Sequence, residues 1–131
     1  MGFLIHSTGD HRVPVNKLLP CGAITPKVGM AMVLANGSLA VASGTTKPTH
    51  ICVEEHQTAV AAGTLIHVHQ VEPDITWGAP LTVAGTNLKE GQKVTISADG
   101  LGVTATTTDG VATIEKICGT NLDDTVLVRF V

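Results

Sequence analysis

The sequence contains very few aromatic and charged residues, and it lacks tyrosine. Aromatic residues make up 2% of its 131 positions, as one Trp and two Phe, and charged residues make up 15%. A core almost without rings must be built from small and β-branched side chains, which favours thin layers over a deep ring-lined pocket. Since 44% of the residues are hydrophobic and the mean hydropathy is +0.31, two interpretations of the exterior stay open. Either a partner covers part of it, or exposed Ala, Thr and Gly account for the high hydropathy.

Other shortages argue against whole classes of protein. The net charge is −3 and the eight Lys and Arg are scattered, so no nucleic-acid partner is expected. No apolar run approaches the length of roughly 18 residues that indicates a membrane-spanning helix, and the first residues lack the pattern of a signal peptide. The three cysteines are odd in number and widely spaced, which is typical of reduced thiols in a cytoplasm rather than of a disulfide framework.

The second half of the chain repeats residues of the first half. The difference in residue number is the same for every matched pair and equals the difference between Gly29 and Gly91. The identical pairs at this offset are Gly29/Gly91, Leu39/Leu101, Val41/Val103, Thr45/Thr107, Thr58/Thr120 and Leu65/Leu127. Apolar runs and turn residues follow the same order. The sequence therefore predicts a first β half-repeat over residues 23–72 and a second over 81–131, joined by a connector at 73–80 and preceded by an extended N-terminal arm at 1–22.

The local signals are those of strands and tight turns. Apolar, β-branched runs occur at 30–34, 39–42, 50–54, 64–71, 93–97, 101–105, 111–117 and 125–131. Asn36-Gly37 predicts a two-residue hairpin, since both positions tolerate positive φ. The best helix candidate is 54–62, which is rich in Glu and Ala and ends at Gly63. The predicted fold class is all-β, a compact barrel or sandwich of two similar half-repeats with at most one short helix.

One group of side chains has the chemistry of a metal site. Residues two apart on a strand share a face, so His50 with Cys52, and His67 with His69, could each reach one ion. The spacing of His67 and His69 from Gly63 faintly resembles the first cupin motif, but the gaps differ and no His follows His69. The alternative is an exposed polar strand face, so we expect no metal, cofactor or catalytic residue.

The segment from Ile24 to Leu34, followed by Asn36-Gly37-Ser38-Leu39-Ala40-Val41, resembles the decoration (cement) proteins on capsids of tailed bacteriophages. That family includes the head decoration protein of phage lambda. The shared features are an N-terminal arm, a Pro or Gly before an apolar strand, and a turn leading to Gly-x-Leu-x-Val. The chain departs from the lambda-like pattern in being doubled and in having almost no aromatic residues.

The resemblance implies a structural virion protein, not an enzyme, made in the host bacterial cytoplasm and bound to the capsid surface. Its partner would be the major capsid protein, and it would form a homo-oligomer, often a trimer. The residues expected to contact the partner are Phe3, Leu4, Ile5, Arg12, Val13, Leu18, Leu19 and Trp77. For Trp77, packing between the halves is the alternative. The two rival functions are a small cupin-like metal enzyme and a glycan- or receptor-binding β-module.

Overall fold

The computed structural model describes residues 2–9 and 15–131, and this part of the chain is almost entirely β-structure. Arg12 and Val13, two of the expected contact residues, lie outside the described residues. The strands of the described part are β1 (Leu4–Ser7), β2 (Asn16–Pro20), β3 (Ala31–Ala35), β4 (Ser38–Val41), β5 (His50–Cys52), β6 (Leu65–Gln70), β7 (Thr76–Pro80), β8 (Lys93–Val94), β9 (Ala112–Ile117) and β10 (Thr125–Arg129).

The strands form two five-stranded antiparallel sheets that pack together. The N-terminal sheet has the order β2-β6-β5-β3-β4, and the C-terminal sheet has the order β1-β7-β10-β9-β8. Isolated parallel bridges join Cys21, which follows β2, to Leu39 of β4, and Leu81, which follows β7, to Val103. The predicted all-β fold class is confirmed.

Turn chemistry fixes the β3–β4 hairpin. Asn36 and Gly37 have φ angles of 53° and 77°, the left-handed values that a two-residue type I′ turn requires. The flanking strands pair with Leu34 opposite Leu39 and Met32 opposite Val41. The hairpin predicted from Asn36-Gly37 is confirmed.

The two sheets share one strand order. The order β2-β6-β5-β3 in the N-terminal sheet corresponds to the order β7-β10-β9-β8 in the C-terminal sheet. Equivalent backbone hydrogen bonds recur as well: the N–H of Gly29 donates to Cys52 O, and the N–H of Gly91 donates to Ile114 O, both at 2.8 Å. The halves are therefore built on the same plan.

The offset between equivalent strands is not constant. In β3 and β5 the pair Met32↔His50 corresponds to the pair Val94↔Ala112. The difference in residue number between these equivalents is the same as that between Gly29 and Gly91. For β2 and β6 it is shorter, since the pair of Pro20 with Leu65 corresponds to the pair of Pro80 with Thr125. Leu65 and Leu127, which a uniform offset matches, are thus not structural equivalents.

Two apolar clusters hold the molecule together. One lies on a face of the N-terminal sheet and includes Met32, Cys52 and Val68. The larger one is built on the C-terminal sheet and takes in Ala31 and Ile51 from the opposite face of the N-terminal sheet. The second cluster therefore contains the packing between the halves.

Two predicted boundaries differ from the strand positions. Residues 76–80 of the predicted connector form β7, which lies between β1 and β10 in the C-terminal sheet. Residues 16–20 of the predicted arm form β2, the equivalent of β7, and so they belong to the repeated unit. Pairing on both sides makes β7 a strand, although Gly78 and Pro80 are poor strand formers.

The helix predicted at 54–62 does not form, because other partners take its backbone donors. The N–H of His56 donates to Pro26 O at 2.9 Å and that of Val60 to Ile24 O at 2.8 Å. The Glu55 side chain in turn accepts the N–H of Val28 at 2.9 Å. The segment therefore runs alongside residues 24–28 instead of coiling. No helix long and apolar enough to cross a membrane occurs in the described residues.

Candidate functional site

The histidines and the cysteine of the predicted metal group lie on two faces of the N-terminal sheet. Strand β5 pairs with β6 so that Cys52 is opposite Val68 and Ile51 is opposite His69. Paired residues share a face and neighbours along a strand alternate. His50 and Cys52 therefore face one side, and His67 and His69 face the other. Among the residues that the structure describes, no group of three or more His, Cys, Asp or Glu is arranged to hold a metal ion.

Glu54 joins two histidines on the surface beside β6. Its Oε2 lies 2.6 Å from His56 Nε2, and its Oε1 lies 2.6 Å from His67 Nδ1. The same Oε1 accepts the backbone N–H of His67 at 2.9 Å. The hydrogen bond from His56, followed by those from the backbone and side chain of His67, lowers the pKa of Glu54 to about 2. This carboxylate attaches the 53–56 segment to β6.

We expect Glu54→Gln to destabilise the protein in a pH-dependent way. The carboxyl pKa is about 2 in the folded chain against an ordinary value of 4.5. The carboxylate therefore stabilises the fold fully above pH 4.5, and the contribution disappears as the pH falls through 2. Urea unfolding should show the variant about 1–2 kcal/mol less stable at pH 6, with the difference vanishing near pH 2. A difference that is constant between pH 6 and pH 2 would contradict this role.

The two cysteines of the first half are core residues. Cys21 and Cys52 are fully buried in the same apolar cluster. Burial raises the pKa of both thiols, which disfavours the thiolate that nucleophilic or metal chemistry needs. Cys118 is exposed. Cys21 and Cys52 thus act as small apolar side chains.

Two of the predicted contact residues are buried. Phe3 and Trp77 are each 1% exposed. Their rings pack with Phe130, whose centroid lies 5.3 Å from that of Phe3 and 6.4 Å from that of Trp77. The three aromatic side chains of the sequence therefore form one cluster, and Trp77 packs in the core that joins the two halves.

The aliphatic contact residues divide between core and surface. Ile5 and Leu19 are half-buried and pack against the core clusters. Leu4 and Leu18 are 56% and 49% exposed. A residue that the sequence analysis missed, Leu65, is 52% exposed. The alternating pattern of β6 carries that signal, because it places Leu65 on the same side as His67.

Leu18 and Leu65 lie beside an unpaired strand edge. Leu18 is opposite His67 and Pro20 is opposite Leu65, so the two leucines are diagonal neighbours on one face. Strand β2 is the edge of its sheet, and β4 meets this side only beyond the end of β2, where the N–H of Gly22 donates to Leu39 O at 3.0 Å. No strand of the described residues pairs with the outer side of residues 16–18. We call residues 16–18 together with the side chain of Leu65 the β2 edge surface.

The backbone of this edge is ready to accept another strand. The N–H of Gln70 donates to Val15 O at 2.9 Å, and that of Cys21 donates to Thr64 O at 3.0 Å. Because antiparallel pairing alternates, the N–H and C=O groups of Asn16 and Leu18 point outward. Pro20 has no N–H, and it ends the pairing edge as prolines of edge strands do.

The C-terminal sheet shows the same edge occupied. There β1 pairs antiparallel with β7, the equivalent of β2, at positions Leu4↔Gly78, Ile5↔Trp77 and Ser7↔Thr76. The correspondence of Pro20 with Pro80 makes 16–18 the equivalents of 76–78. The fold thus accepts an added strand at this edge in one half and leaves the matching edge open in the described part of the other.

No family model and no curated protein matches the sequence.

Proposed function

We propose that this chain is a non-enzymatic structural protein of a phage particle, a decoration protein that binds the outer surface of the capsid and stabilises it. The resemblance of residues 24–41 to decoration proteins supports this role. The observation that carries the proposal is the β2 edge surface, where outward backbone groups lie next to two exposed leucines. An open edge of this kind is a template for strand addition by a partner chain.

The proposed contact combines two kinds of interaction. An extended segment of the major capsid protein pairs with residues 16–18, as β1 pairs with 76–78 in the other half. Leu18 and Leu65 are 49% and 52% exposed, and burial of the exposed half of each against apolar side chains of that segment contributes about 1 kcal/mol. A homotrimer presents three such edges at once, which raises the overall affinity without any new kind of contact.

The proposed contact does not include the first residues of the arm. Phe3 belongs to the core and β1 is a paired strand. Deletion of residues 2–20 would remove two strands, so loss of binding by that variant would not identify a contact. Single substitutions of exposed side chains are the informative test.

We expect Leu18→Lys to weaken binding of the purified protein to empty shells of its phage by tenfold or more. The lysine removes apolar contact and places a charge in the interface. Leu122→Lys is the matched control, because Leu122 is 58% exposed and lies in the other half of the chain. Co-sedimentation with shells measures both affinities, and light scattering measures the oligomeric state.

The two variants separate the possible outcomes. Equal binding of Leu18→Lys and the unchanged protein would exclude the β2 edge surface as the contact. Loss of binding by Leu122→Lys alone would place the contact on the other half. Failure of the unchanged protein to bind shells would overturn the proposed function itself.

A further inference from the structure

A cavity of about 610 Å³ opens at one end of the N-terminal sheet. Three of its lining residues, Lys17, His50 and Gln70, come from β2, β5 and β6. The segment before β5 adds Lys47, and Phe130, which follows β10, lines the cavity as well. This volume is in the range of small-molecule sites.

His50, one of the lining residues, carries an unpaired polar atom. The residue is 5% exposed, and its Nε2 has no hydrogen-bond partner among the described residues. Its Nδ1 lies 2.8 Å from Thr49 Oγ1, which already accepts the N–H of Leu34 at 2.8 Å. The threonine hydroxyl can donate its proton to Nδ1, and in that tautomer the ring proton is on Nε2.

The surroundings of His50 favour its neutral form. Burial, and then the charge of Lys17, lower the pKa of the ring, so it is neutral at pH 7 and carries one N–H. A buried donor without an acceptor is costly. An acceptor atom that reached Nε2 would satisfy it.

The cavity is cationic. Lys17 and Lys47 both line it, and neither forms an ion pair with a described residue. No carboxylate lines the cavity in the described residues. The Glu72 carboxylate, two residues beyond β6, accepts a hydrogen bond from Gln70 Nε2 at 3.0 Å. Two ammonium groups and one N–H donor match an oxyanion.

The other half of the molecule shows that the fold does not need these polar residues. The correspondence of the strands matches Lys17 with Trp77, His50 with Ala112, and Gln70 with Phe130. All three residues of the second half are buried and apolar members of the core. The same positions are thus filled with apolar side chains in one half and line an open, cationic cavity in the other.

We infer that this cavity binds a small organic anion, with its carboxylate or phosphate group between Lys17 and Lys47 and its apolar part against Val71 and Phe130. The His50 Nε2–H donates to one oxygen of that group. This binding activity does not depend on the proposed attachment to a capsid, although Lys17 lines the cavity and also lies in the β2 edge surface.

Titration of the full chain tests the inference, with amide NMR shifts as the readout. The probes are sodium hexanoate, sodium phosphate and uncharged 1-hexanol. We expect at least one anion to produce saturable shifts at residues 47–50 and 70–71, and hexanol to bind at least tenfold more weakly. The two anions show whether the preferred group is a carboxylate with an apolar tail or a phosphate. Absence of saturable shifts with both, or equal binding of hexanol, would overturn the inference.

Substitutions locate the site. Lys17→Gln and Lys47→Gln should each weaken anion binding about tenfold, whereas Lys93→Gln, at an exposed position of β8, should leave it unchanged. His50→Ala introduces the residue that the second half carries, and we expect it to weaken binding as well. If that variant fails to fold, the exposed Lys47 still decides the outcome. Binding that is equal in the Lys17→Gln, Lys47→Gln and Lys93→Gln variants would exclude this cavity.

Discussion

Replacement of Trp77 by alanine is expected to lower the free energy of unfolding by about 3–5 kcal/mol. The indole is 1% exposed and packs in the cluster that joins the two sheets. Its neighbour Phe130 also contacts Phe3 of the N-terminal segment. Since the core contains few other large side chains, the surrounding structure has little with which to fill the space. Urea unfolding followed by far-UV circular dichroism measures the loss.

Two further variants sharpen this prediction. Trp77→Phe keeps most of the ring packing and removes an indole N–H that has no partner among the described residues, so we expect less than half of the alanine effect. Val83→Ala is a surface control, because Val83 is 46% exposed, and it should change stability by no more than about 0.5 kcal/mol. A Trp77→Ala variant as stable as Val83→Ala would show that the aromatic cluster does not hold the halves together.

Local sequence patterns predicted most strands because those strands obey local rules. Ala31–Ala35 and Ser38–Val41 are apolar runs around a turn that Asn36-Gly37 alone specifies. Strand β7 could not be predicted in this way. Its residues Gly78, Ala79 and Pro80 have a weak strand preference, and β1 and β10 on either side supply the pairing. The failed helix at 54–62 has the same cause, since distant acceptors override a local preference.

The candidate sites depended even more on strand order. The exposed side of Leu65 follows from the alternation of β6, but the open edge of β2 follows only from its place in the sheet. The separation of Cys52 from His67 likewise follows from the register of β5 against β6. The residues that match Lys17 and Gln70 in the second half can be found only from the pairing of the strands. The difference in residue number between equivalents in β2 and β6 is not the one that the identical residues indicate.

Gly29→Ala is expected to destabilise the protein by more than Gly91→Ala, although the two glycines occupy equivalent places. Both have left-handed φ angles, 85° and 90°, so an alanine at either position costs about 1–2 kcal/mol of backbone strain. A Cβ at Gly91 would meet no atom within 4 Å, whereas at Gly29 it would lie 2.7 Å from Gly2 Cα and 2.8 Å from Phe3 N. We expect this overlap to add about 1–3 kcal/mol.

The excess should appear first at the N-terminal strand. The Phe3 N–H donates to Gly29 O at 2.8 Å, and this contact leads directly into β1. Hydrogen exchange of the Leu4–Ser7 amides should therefore be faster in Gly29→Ala than in the unchanged protein. In Gly91→Ala it should stay close to that of the unchanged protein. Each protein is measured equally far below the midpoint of its own unfolding transition. Equal losses of stability and equal exchange in the two variants would mean that close packing of residues 2–3 on Gly29 does not anchor β1. An unequal result would show that a glycine shared by both halves has acquired a second role in one of them, as the place where the N-terminal strand is attached.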